Sequence, residues 1–430
     1  MHKLHAFTGN RDVNALEYAT NAPCGTKVKY FYCGLLVLCS VVPVYAAPVT
    51  PVFRTGMEDA CNYDADQDRL SDCIETGTNS YVGTSNTGTA RFNPDTDFDG
   101  LVDGDEVLGT LAGLNLPAMG TNPLKRDLLV EYDWFDDAND CAAHSHRPTQ
   151  AILDQTAAAY AAMAIANPNG TSGINLIQDA GQGGLFTGGN LVADADGIVD
   201  GLGAEFYGYK TANFANNRAN YFHYAMFPHR YGTATNGSSG LASLNGRDLI
   251  VSLYCANSTG NVRNTIVHEM GHNLGLRHGG NVNCNYKPNY NSVMNYRYQF
   301  PGANNNCLVP GNGAVAYSSG TRITLNENSL LEMQGVCGFP NPSVDWNNNG
   351  TVESGIVFDI NSADTGQASA CGGTLTTMSD FNDYAALNLR AVSVIGLNGG
   401  ALLRNLHEPE EVAVCQEVPL AFRVGPESGK

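Results

Sequence analysis

Residues 268–278 read HEMGHNLGLRH, and no other segment restricts the possible folds as tightly. A helix advances about 100° per residue, so His268 and His272 project from one face a turn apart and are able to grip one ion. Glu269 stands beside them. Gly275 supplies a left-handed or otherwise strained backbone that ends the helix, which lets the chain turn and bring His278 to the same ion. The flanking residues agree. NVRNTIVHEMGHNLG follows a turn rich in Ser, Thr, Gly and Asn, and Ile266, Val267, Met270 and Leu274 keep a helical spacing that stops at Gly275. Three neutral imidazoles leave a fourth position open, the pattern of a catalytic rather than a structural zinc ion. Zinc lowers the pKa of water toward about 7. Glu269 is then placed to take the proton as general base.

HExxHxxGxxH resembles the signature of the metzincin zinc proteases, and strands such as RDLLVEYDW and GINLIQD are similar to those of secreted bacterial members. The resemblance covers roughly residues 126–298. It implies an α+β catalytic domain over residues 125–395, with a twisted mixed sheet, an active-site helix and a Met-turn. SVMNY, Ser292 to Tyr296, looks like that turn. By the resemblance, Met294 forms the apolar floor beneath zinc. Tyr296 matches the tyrosine that, in the astacin-like and serralysin-like branches, binds zinc at rest and hydrogen-bonds the oxyanion in turnover. The residue after the third histidine is Gly279, which leaves the branch open.

Ahead of this domain, residues 47–124 are rich in Gly, Asn, Asp and Thr and show little apolar periodicity. They contain an internal repeat, DADQDRLSDCIETGT from Asp64 and DTDFDGLVDGDEVLGT from Asp95, 31 residues apart. The second copy places Asp95, Asp97, Asp99, Asp103 and Glu106 at the oxygen-ligand positions of a twelve-residue calcium loop, with Gly100 at the sharp turn. The first copy offers Asp64, Asp66, Asp68, Asp72 and Glu75 but has Arg69 at the turn, which raises its strain. Gly77 and Gly109 interrupt any long following helix, so the copies resemble thrombospondin type 3 repeats rather than paired EF-hands. A weaker candidate begins at Asp345, and a weaker one still at Asp194.

The net charge of −19 argues against nucleic acid or an anionic membrane as partner, and much of it sits in the two acidic loops. Residues 30–44 form the one long apolar run, too short and too interrupted by Pro43 for a comfortable membrane span. Lys27 and Lys29 precede it and Ala46 and Ala47 follow, so residues 1–46 read as a secretory signal, and no stable membrane anchor is expected after its removal. Of twelve cysteines, Cys24, Cys33 and Cys39 leave with the signal, and export makes disulfides among the rest expected. Cys61–Cys73, Cys284–Cys307 and Cys337–Cys371 are the nearest neighbours in sequence, but connectivity stays open. His144 and His146, two apart, could point the same way from an extended chain, but with His223 and His229 they are expected to be structural. Strands are expected at RDLLVEYDW, GINLIQD, YFHYAMF and RDLIVSLY, a helix from near Pro148, a late helix around residues 379–392, and a tail without a motif over 396–430. The expected function is a secreted zinc endopeptidase acting on a protein or peptide substrate, with one catalytic zinc and one or two calcium ions. The alternative is a calcium-dependent adhesion or matrix-binding protein with a vestigial zinc domain, against which the intact Glu269 argues.

Overall fold

The computed structural model describes residues 61–301, 315–339, 342–360, 371 and 373–389, and the backbone of Val412–Val414. The expected signal segment and all but three residues of the expected tail lie outside these residues, as do Cys307 and Cys415.

Runs of β-branched, aromatic and aliphatic residues form the strands β1 (Asp127–Trp134), β2 (Asn175–Asp179), β3 (Phe222–Phe227), β4 (Gly240–Ser243) and β5 (Asp248–Val251). With β6 (Val412–Val414) they make a six-stranded sheet in the order β6-β4-β5-β3-β1-β2. β1 pairs in parallel with both β2 and β3, and β3 pairs in parallel with β5. β4 is antiparallel to β5 and to β6. The sheet is mixed, as expected, and mostly parallel, so the fold is a mixed α/β one rather than the α+β one expected. Parallel strands need crossovers and bury both faces, which is why β1 is buried at every position, its acidic residues Asp127, Glu131 and Asp133 included.

The two faces divide by the period-2 pleat of β1. Leu128, Val130, Tyr132 and Trp134 pack with Ile152 and Tyr160 of helix α2 (Gln150–Ala161) and with Val262, Ile266 and Met270 of helix α4 (Thr259–Asn273). Leu129 packs on the opposite face with Phe222, Tyr224 and Phe206, the last from helix α3 (Ala204–Asn213). Glu131 on this second face is held by buried Arg218, whose Nη1 lies 2.5 Å from Glu131 Oε2 and 2.7 Å from Asp179 Oδ2.

The acidic segment, with little apolar periodicity of its own, shares this core. Leu101, Leu114, Leu116 and Met119 join Leu129 and Ile177 on the second face. Short helix α1 (Asp103–Leu108) begins within the second loop, and Asp99 Oδ2 accepts the backbone N–H of Asp127 at the start of β1 at 2.6 Å.

Residues 379–388 contain no helix, against expectation, and 390–392 lie outside the described residues. The segment is spent on tertiary anchoring instead: Asp383 accepts hydrogen bonds from buried Tyr290 and from the N–H of Ser318. β6, from the tail that showed no motif, covers the outer edge of β4. The disulfides Cys61–Cys73, Cys141–Cys255 and Cys284–Cys371 are formed, and Cys337 is disulfide-bonded to a partner outside the described residues. Only the first joins nearest neighbours in sequence.

Candidate metal centre

Helix α4 starts where the Ser258 side chain accepts the N–H of Asn261 at 3.3 Å, a normal N-cap. From Asn264 to Asn273 every residue is buried. Its C-terminal end is pinned by Asn273, whose amide donates to the carbonyls of Ser243 and Asp248 at 2.8 and 3.0 Å. Gly275 has φ +96°, a conformation side chains rarely adopt, and a Cβ there would meet the Asn245 side chain. The chain then folds into a tight turn in which Arg277 N–H bonds the carbonyl of Gly280 at 2.6 Å. His278 sits in that turn. Candidate ligand atoms of His268, His272 and His278 all lie within 4.8 Å of one another.

The protonation of two of these rings follows from their partners. His268 Nδ1 lies 2.8 Å from the carbonyl oxygen of Val293, and His272 Nδ1 lies 2.7 Å from that of Leu276. A carbonyl only accepts, so both Nδ1 atoms carry protons and donate. Burial lowers the pKa of His268 to about 4 and that of His272 well below the ordinary value, the latter with help from His268 itself. Burial likewise lowers His278, with His272 and His268 adding to the shift. The rings are therefore neutral, and Nε2 of His268 and of His272 presents only a lone pair. These two Nε2 atoms face each other at 3.2 Å. Two lone pairs at that distance repel unless a cation lies between them; neighbouring nitrogens on a tetrahedral zinc stand about 3.3 Å apart. The donor set and its tautomers fit zinc.

Glu269 is fully buried, and its Oε1 occupies the space a Cβ at Gly240 would fill, so the carboxylate packs on the backbone of β4. Met294 is fully buried, and its Sδ lies where a Cβ of Gly271 would be. Gly271, between the two helical candidate ligands, thus lets the thioether reach the helix directly. The turn carrying Met294 is fixed by the N–H of Val293 on the carbonyl of Ala316 (2.9 Å) and by Asn295, whose amide donates to the carbonyls of Lys287 and Tyr290. The ring of Tyr296 lies 4.3 Å, centroid to centroid, from His278 and 5.9 Å from His268.

In the acidic segment, Asp64, Asp66 and Asp68 form one group and Asp95, Asp97 and Asp99 another; a third joins Asp68 and Glu75 to Asp103 of the other copy. Asp72 instead accepts the N–H of Ala65 at 2.9 Å and lies 3.5 Å from Arg91 Nε. Buried oxygens of Asp68, Glu75, Asp97 and Glu106 have no hydrogen-bond partner. Burial, with repulsion among neighbouring carboxylates, raises Asp68 to about 7 and Glu75 to about 8. Arg69, at φ +83°, donates from Nη2 to the carbonyls of Gly104 and Gly109 and to Asp105, tying the first loop to α1.

Sequence reasoning did not find Val293, Leu276 or Gly240 as parts of the site. Gly271 carried a signal, because glycine inside a helix costs about 1 kcal/mol and calls for a reason. His144, His146 and His229, expected to be structural, lie together around Asp137. His223 bonds Asn273 Oδ1 at 3.0 Å.

No protein-family description and no curated protein matches the chain. Among solved structures the chain is similar to the crystal structure of an archaemetzincin from Methanopyrus kandleri, at 14% identity over 40% of this chain and 81% of that one, with a TM-score of 0.25. That likeness is too slight to bear on what this chain does.

Proposed function

We propose that this chain is a secreted zinc-dependent endopeptidase of the metzincin type acting on protein or peptide substrates. His268, His272 and His278 would hold the metal and Glu269 would serve as general base. The observation that carries the reading is the pair of Nε2 lone pairs of His268 and His272 at 3.2 Å, both Nδ1 protons being spent on backbone carbonyls. Zinc bound there supplies Lewis acidity, polarising the scissile carbonyl and acidifying water. The chain's own residues account for the rest. Glu269, held against Gly240, accepts the proton of the water whose oxygen bonds to the carbonyl carbon, and passes it to the amine as the C–N bond breaks. The Tyr296 O–H donates a hydrogen bond to the oxyanion. The carbonyls of Val293 and Leu276 hold the ligand rings in register.

Export is supported by the three disulfides, bonds that persist in oxidising compartments. No described helix is long and apolar enough to cross a membrane. Calcium in the acidic segment is supported by buried, unpartnered carboxylate oxygens grouped at the spacing a hard cation wants.

Glu269→Gln tests the reading, because an amide does not accept the proton. Zinc content is expected to be unchanged while chelator-sensitive casein cleavage falls by about 10²–10⁴. Cleavage at near wild-type rate would remove Glu269 from this role.

A further inference from the structure

A second cluster of metal-type donors lies outside the site described above. β1 and β3 are parallel neighbours with Trp134 opposite Phe227, so the chain leaving each strand emerges at the same end of the sheet. Beyond β1 the chain makes a hairpin in which Asp137 pairs with His144, and His146 follows two residues later. Beyond β3 comes His229. Asp137, His144, His146 and His229 offer ligand atoms that all lie within 4.8 Å of one another.

The details favour a cation over a self-contained ion pair. The two oxygens of Asp137 face different rings: Oδ2 lies 2.8 Å from His146 Nε2, and Oδ1 lies 3.1 Å from His229 Nδ1. His229 Nε2 is taken by Asp140 Oδ2 at 3.2 Å, and a carboxylate accepts only, so in the neutral ring Nδ1 is the lone-pair nitrogen. That atom is buried, in a residue 1% exposed, and makes no hydrogen bond. It points at a carboxylate oxygen that is equally unable to donate. His144 Nδ1 donates to the carbonyl of Ala142 at 3.0 Å, which in the neutral ring leaves Nε2 as its free lone pair. An ion pair between His146 and Asp137 alone would explain one of these contacts and leave His229 Nδ1 orphaned in the interior, a costly arrangement.

We propose that Asp137, His144, His146 and His229 form a second metal site, a structural zinc site with four protein ligands. Three imidazole nitrogens and one carboxylate complete a tetrahedron with no open position, and imidazole-rich sets of this kind suit zinc better than the oxygen-seeking cations. The site ties the ends of two central strands to the segment that launches α4. Cys141, inside the hairpin, is disulfide-bonded to Cys255, three residues before the N-cap Ser258. The guanidinium of Arg230, next to His229, holds Asp140 at 2.6 Å and stacks on Tyr254 at 3.9 Å. The ion would brace the catalytic helix from its N-terminal side without touching the peptidase centre.

The site is independent of the peptidase reading, and metal counting keeps the two apart. The purified exported protein, dialysed against buffer without added metal, is expected to hold two zinc ions per chain. His268→Ala/His272→Ala should keep one, and cobalt exchanged into that variant should give the intense absorption of a tetrahedral ion. His144→Ala/His229→Ala should keep only the other and melt at a lower temperature. One zinc in the wild type and none in His268→Ala/His272→Ala would overturn the proposal and leave an ion pair between His146 and Asp137. If His144→Ala/His229→Ala fails to fold, the wild-type count and the cobalt spectrum still decide the matter.

Discussion

At the residue scale, the lone pairs of His268 and His272 and their carbonyl partners define the candidate centre, and each neighbouring side chain has a separable role. His278→Ala removes the candidate ligand that arrives from the turn rather than from α4. Zinc affinity should fall by at least the 10–100-fold typical of losing even a supporting partner, and metal analysis after dialysis is the measurement. Unchanged occupancy would place the third ligand elsewhere. Tyr296→Phe keeps the ring beside His278 and takes away only the hydroxyl. Turnover should fall by roughly 10²–10³ with zinc retained, the usual effect of deleting an oxyanion donor; an unaltered kcat would reduce Tyr296 to packing. Both candidate residues were legible in the sequence from spacing and resemblance. Val293 and Leu276 were not, because a backbone carbonyl leaves no mark in residue identity.

At the element scale, α4 is the piece everything else positions, and its C-terminal half is buried from every side. His223 on β3 reports on that packing. Its Nδ1 bonds the side chain of Asn273, the residue that pins α4 to β4 and β5, and burial lowers its pKa from 6.5 to about 4. Between those values the unfolded chain binds a proton that the folded protein refuses, so stability is complete above pH 6.5 and declines as pH falls toward 4. Thermal or urea melts from pH 7 to pH 4 should show this decline. It should be shallower in His223→Asn, which has nothing to titrate; identical slopes would mean that other groups account for it. The amphipathic spacing around Ile266 and Leu274 made α4 legible, and so did the strands. α3 and β4 were missed: α3 buries only Phe206, and β4 is a short GLAS stretch whose place is set by pairing with β5.

At the scale of the whole molecule, the acidic segment and the central sheet share a core on the second face of β1, so cation binding in the loops should be felt by the entire fold. Calcium at about a hundredfold excess over Kd stabilises by roughly 2.7 kcal/mol per site when only the folded form binds. It should raise the melting temperature and protect residues 58–110 from proteolysis, with the second loop binding more tightly because Gly100 takes its φ of +98° without the strain that Arg69 bears at +83°. No heat of binding and no protection at millimolar calcium would reduce the segment to an acidic spacer. The sequence by itself determined the local chemistry: the helix and turn from His268 to His278, the repeated acidic loops, and the strands whose residues suit a buried sheet. Each of those depends on neighbours within about a dozen positions, where spacing fixes geometry. Only the tertiary structure decided which distant residues meet. It brought His229 to Asp137, Asp103 to Glu75, Cys141 to Cys255 and Gly240 to Glu269. The first and third contacts come from the parallel pairing of β1, β3 and β5, strands far apart in the chain, the second from the two acidic loops packing on each other, and the last from α4 lying against β4; in each case what decides is which surfaces the fold buries together.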